Sequence, residues 1–233
     1  MLLSEIVYNI KNLIAGGIES DDENLSNAQV AFMVNYYRAK LFRQDRLKGR
    51  MGKEIYVQNL GKVPLQQADK NECCEIDACI LRTQNQIPKP LQTYDGLNIT
   101  FIGMLNGRPY EKRHHNSLIW SSAAKYTKDT TKWYYQNGYI YLVNPVDPLL
   151  DNINIQGIFE DPMQAEKFRT CDCPNGSDCI DEDSLDFEYS LPAHQVDLIV
   201  KLVAETELRL LTALPTDISN DGMDQVTATV NAG

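Results

Sequence analysis

The chain has 233 residues, 43% of them hydrophobic and 23% charged, with a formal net charge of -10. This composition excludes wholesale disorder and collagen-like or low-complexity chains, and the length suits one large domain or two small ones that fold without disulfide staples. Net acidity argues against general nucleic-acid binding, and no apolar run approaches the roughly 18 residues of a membrane helix.

The first element in chain order is a helix. Leu3, Ile6, Val7, Ile10, Leu13 and Ile14 recur at helical spacing, and Gly16-Gly17 supplies the stop. Glu5 breaks the apolar start, so no signal peptide is expected; the compartment is then cytoplasmic and the six cysteines reduced. After an acidic loop, Ser26 and Gln29 fit a capping box that opens a second helix. Its stripe is Val30, Met33, Val34, Tyr37 and Leu41, and it runs to about Arg46, with Gly49 and Gly52 beyond it. The middle is rich in strand candidates: 55–57, 79–82, 99–102 and 153–155. The strongest local signal is Asn137-Gly138, the pair a type I′ hairpin turn requires, with aromatic and β-branched residues on both sides. Asp161-Pro162 caps a short helix to about Phe168, and a long helix over 192–214 carries Val196, Ile199, Val200, Val203, Leu210 and Leu211. The last 18 residues hold no Lys or Arg and read as a mobile tail that orders on docking.

The expected fold is α+β: a helical bundle of two N-terminal helices and one long C-terminal helix, beside a small antiparallel β domain, sandwich or barrel-like. The expected division is 1–53 for the helix pair, 54–160 for the β domain and 161–190 for the short helix and acidic loop. The bundle helix then takes 191–215 and the tail 216–233.

Two cysteine clusters, Cys73, Cys74 and Cys79, then Cys171, Cys173 and Cys179, have enough thiolates for a structural zinc. Neither has C-x-x-C spacing, so reduced thiols remain the plainer reading, a disulfide formed after release from the cell is a third, and no other cofactor is expected. The acids after Asp178 lack the register and glycine of a calcium-binding EF-hand loop. His114, His115 and His194 have no carboxylate or nucleophile spaced to activate them, and the standard nucleotide-binding, zinc-protease and serine-hydrolase motifs are absent, so the chain is not read as an enzyme.

Charge is unevenly spread. Residues 38–53 hold seven bases and one acid, while 160–188 hold ten acids and two bases. Arg38, Lys40, Arg43, Arg46, Lys48 and Arg50 are therefore candidates for a subunit or partner contact. Asp178, Asp181, Glu182, Asp183, Asp186 and Glu188 are candidates for its acidic counterpart. A head-to-tail contact of this kind, repeated around an axis, closes into a ring.

Several segments together resemble a phage family. They are Ser4-Glu5-Ile6-Val7-Tyr8-Asn9-Ile10, the double glycine, and the run from Asn35-Tyr36-Tyr37-Arg38 to Asp45. Glu72-Cys73-Cys74, Cys79-Ile80-Leu81-Arg82-Thr83, Ile87-Pro88 and Gly157-Ile158-Phe159-Glu160-Asp161-Pro162 complete the set. In order and spacing the set is similar to the head-to-tail connector ring proteins, adaptor or gatekeeper-like, of crAss-like bacteriophages. The resemblance implies a structural virion protein, assembled in the bacterial cytoplasm as a homo-oligomeric ring, a dodecamer, between portal and tail. Its partners would be the portal protein and the adjacent tail ring, with DNA passing through the channel unread and no membrane contact. The 160–188 acids would then face either the lumen, where they repel phosphate, or a neighbouring subunit. A more distal ring or stopper, and a tail-associated hydrolase, are the rival readings.

Overall fold

The computed structural model describes residues 1–14, 25–49, 54–68, 80–104, 107–114, 130–143, 150–170 and 184–208. Both cysteine clusters, Arg50, His115, Asp178, Asp181, Glu182, Asp183, the end of the long helix beyond 208 and the 216–233 tail lie outside them.

Helix α1 (Leu3–Ile14) buries Leu3, Ile6, Val7 and Ile10 on one stripe, as the spacing requires. At its start the Glu5 carboxylate accepts from the Leu2 amide at 2.9 Å, and the Leu3 and Ser4 amides donate to the carbonyls of Phe187 and Leu185, which ties the start of the chain to residues 184–191. Helix α2 (Asn27–Leu47) opens with the capping box expected, Ser26 and Gln29 bonded reciprocally. It buries Val30, Val34, Tyr37, Leu41 and Phe42. Helix α3 (Pro162–Thr170) is capped by Asp161, whose Oδ1 accepts from the Met163 amide at 2.9 Å. Helix α4 (Ala193–Leu202) continues into a π-helical turn, Val203–Leu208. There the Thr206 hydroxyl donates back to the Leu202 carbonyl, the kind of side-chain competition that loosens a helix. Helices α1, α2 and α4 share one core cluster, and α3 instead packs on the sheet.

Nine strands are described: β1 (Gln58–Gln67), β2 (Ile80–Thr83), β3 (Gln92–Thr93), β4 (Gly96–Leu97), β5 (Ile99–Gly103), β6 (Glu111–Lys112), β7 (Lys132–Gln136), β8 (Tyr139–Val143) and β9 (Asn152–Gly157). Seven form one sheet in the order β5-β9-β1-β2-β8-β7-β6, antiparallel except for β6 with β7; β3 and β4 form a separate small hairpin. The fold is thus the mixed α+β expected. The β7–β8 turn is the Asn137-Gly138 turn, with φ of 52° and 87° at its two residues. Tyr134 and Tyr141 pair across it with rings stacked 4.9 Å apart.

Strand β1 organises the sheet. Its first half, to Pro64, pairs with β9, and its last three residues, Leu65 to Gln67, pair with β2. Pro64, which has no N–H to give, sits where the strand changes partner. A bulge separates Asn59 from Lys62 in the pairing with β9, and Gly61 takes φ +75° there. Beyond β5 the chain folds back: Gly103 bridges Pro109, the Tyr110 amide donates to the Ile102 carbonyl at 2.7 Å, and β6 then pairs with β7. Residues 109 and 110 thus lie against β5, and β6, which follows them in sequence, pairs at the other end of the strand order.

One strand expectation is corrected. Residues 55–57 do not form a strand: Glu54–Tyr56 is a single 3-10 turn. It places Tyr56 against Phe42, ring centroids 5.0 Å apart, in the helical core.

Candidate functional site

The basic run of α2 does not form one surface. At 3.6 residues per turn, Arg38 falls on the face of Val34 and Leu41, and its side chain is fully buried. Nε donates to the Ser190 carbonyl at 3.0 Å, Nη2 to Ser190 Oγ at 2.9 Å and Nη1 to the Phe159 carbonyl at 3.0 Å. The rings of Tyr56 and Tyr189 flank the guanidinium, their centroids 5.6 and 5.8 Å from it. Burial lowers the Arg38 pKa from its ordinary value, with Tyr189, Tyr56 and Asp161 acting in the opposite sense. Burial likewise raises the Tyr189 phenol and pushes the Tyr56 phenol up to about 12. The expectation that Arg38 contacts another subunit is therefore corrected: its donors are spent inside its own chain, joining α2 to residues 159 and 190.

A polar network surrounds this junction. Tyr189 donates to Asn35 Oδ1 at 2.7 Å, and Asn35 Nδ2 donates to Asp161 at 3.0 Å. On the other side the Tyr56 hydroxyl donates to Gln195 Oε1, and Gln195 Nε2 donates to Asp45 at 2.6 Å. Helices α2, α3 and α4 are thereby held to one another and to the exit of β9.

Arg43 and Arg46 are engaged by their own chain. Arg43 donates to the Gln92 carbonyl at 3.0 Å and reaches Glu160 at 3.3 Å, where Lys89 also pairs at 2.9 Å. Arg46 approaches Asp95 at 2.8 Å. Both pin the β3–β4 hairpin to the end of α2, and each such exposed pair contributes at most about 1 kcal/mol. Lys40 and Lys48 are exposed, with Lys40 Nζ 5.3 Å from the Tyr37 ring centroid. Among the described residues Lys40 has no ion-pair partner.

The acidic stretch divides in the same way. Glu160 is held by Arg43 and Lys89, and Glu166 by Arg169. Asp186 and Glu188 are exposed on the segment that pairs with the start of the chain, where Glu188 bridges Leu2. His114 and His194 are exposed, and no group of three potential metal ligands comes together among the described residues.

Sequence reasoning missed the apolar part of the surface. Phe32 and Tyr36, 72% and 53% exposed, stand on α2 directly opposite its buried stripe, in line with Lys40. Leu13 on α1 and Leu198 on α4 are also exposed, whereas no large hydrophobic side chain is exposed on the nine described strands. Between α1 and α4 lies a groove of about 690 Å³ with Met1, Leu13, Ala193, Val196 and Val200 in its walls and Asp197 as its charged group. The signal was present in α2, which is apolar on two faces.

Comparison with known proteins gives one family: the family model described as phage tail ring protein 2 matches residues 5–226. No curated protein matches the sequence.

Proposed function

The chain belongs to the phage tail ring protein 2 family, and from that premise we propose that it forms the ring that joins the portal to the tail and continues the DNA channel. Family membership makes it a structural component of a phage tail that assembles as an oligomeric ring. The match across nearly the whole chain carries the reading. The position next to the portal, a twelve-fold ring and passage of DNA through it are our inference. Net acidity supports the last, since a wall that repels phosphate lets DNA slide. In this reading the helices form the subunit contacts, the sheet faces the next tail ring, and no catalytic group is assigned.

Native mass spectrometry of the purified chain mixed with assembled portal tests the position. Binding in one fixed multiple per portal is expected, and the multiple gives the copy number. Absence of binding would move the chain to a more distal ring, which cross-linking of intact tails would then locate by its neighbours.

A further inference from the structure

A closed ring of identical subunits needs two different surfaces on each chain, one complementary to the other. The helical layer carries such a pair. One is convex: Phe32 and Tyr36 standing out from α2, with Lys40 in line one turn further on. The other is concave and apolar, the groove between α1 and α4 with Asp197 on its wall. Asp197, like Lys40, has no ion-pair partner among the described residues. Resting on the ring reading, we propose that α2 of one copy docks in the α1–α4 groove of the next copy. Phe32 and Tyr36 enter the groove, and Lys40 meets Asp197.

Charge and spacing favour a second copy seated in this way over a symmetric contact of α2 with α2. A symmetric contact leaves Lys40 without an acidic partner and sets two convex faces together with nothing to fill. In the head-to-tail contact, four residues along α2 cover about 6 Å, so Tyr36 sits one turn from Lys40. One turn from Asp197 on α4 lie Ala193 in one direction and Val200 in the other, both lining the groove. A Tyr36 ring therefore finds an apolar wall whichever way the two helices run. Because the stripe and the groove lie on different faces of the bundle, each added copy exposes the surface the next one needs.

The test uses full-length chain by mass photometry, together with purified tails. Wild type is expected to form rings. Phe32→Asp with Tyr36→Asp, and separately Leu13→Arg, are each expected to raise the concentration needed for assembly about tenfold or more. These positions are exposed, so unchanged melting curves confirm folding. Mixing the two variants leaves one intact pair of surfaces, so a 1:1 dimer and nothing larger is expected. Lys40→Asp and Asp197→Lys weaken assembly singly and restore it when combined in one chain. In tails, a photo-crosslinker in place of Tyr36 is expected to join residues 193–200 of another copy. Rings that form equally well from both surface variants, or crosslinks elsewhere, overturn this interface and leave the ring reading intact. A wild type present as one copy per tail and monomeric in solution overturns the ring reading itself.

Discussion

Ile6 and Ile10 of α1 and Ile153 and Ile155 of β9 are all fully buried, yet the two layers they anchor end differently at the surface. The sheet is inward-looking: its apolar side chains meet one another and α3, and its described strands expose no large hydrophobic residue. The helical layer buries a core of its own and also presents Phe32, Tyr36, Leu13 and Leu198 outward. In the docking proposed above, the difference separates a part of the molecule that is finished on folding from a part that is finished on assembly.

The link between the layers is the place to break that comparison most severely. Arg38→Ala leaves the Phe159 and Ser190 carbonyls without donors and opens a cavity, and is expected to cost about 3–5 kcal/mol of stability in urea unfolding. A loss under about 1 kcal/mol would mean that the layers hold together without it. Next come matched truncations, Ile155→Ala in the sheet and Ile199→Ala in the bundle, each expected to cost about 2–5 kcal/mol. If the layers unfold as one unit, both variants speed amide exchange in β9 and α4 alike; acceleration confined to the mutated layer would make them separate folding units.

A smaller effect follows from Tyr56. Its folded pKa of about 12 lies above the ordinary 10.0, so the native chain keeps a proton that the unfolded chain loses. The stability this gives is complete below pH 10.0 and is lost as pH rises towards 12. Tyr189 acts with the same sign. Urea midpoints should therefore fall over that range, and less steeply in Tyr56→Phe. The smallest effect is Arg46→Ala, expected to cost under about 1 kcal/mol and to shrink further in salt, because its partner Asp95 is exposed. A larger loss there would show that the β3–β4 hairpin is part of the core.

Local chemistry made much of the fold legible. The Ser26 cap, the Asn137-Gly138 turn and the Asp161-Pro162 start each involve residues within a few positions of one another, where one side chain settles one backbone geometry. Strand β1 was not legible because a bulge glycine and a partner-switching proline interrupt its alternation. Arg38 was misread for a different reason. A charge at a core position looks like a charge on a helix face until the carbonyls that receive it, 121 and 152 residues away in sequence, are brought to it. Arg43 and Arg46 show the same limit, since Glu160 and Asp95 meet them only in the folded chain. The aromatic pair on α2 was visible as Phe32 and Tyr36 opposite Val30 and Val34, a helix with two apolar faces and one core to fill.

The segment that joins β5 to β6 has a bearing on growth control. A protein made in many copies and stored at high local concentration is at risk wherever a row of unpaired backbone amides can template another strand. Here Pro109 and the Tyr110 amide occupy the outer side of β5 at Gly103 and Ile102, and β6, at the other end of the strand order, is only two residues long. Among the described residues of this sheet, fibre-like polymerisation through backbone pairing has little to start from. In the proposed ring, association is left to side chains, whose fit is met in one direction only and, at the right subunit angle, comes to an end.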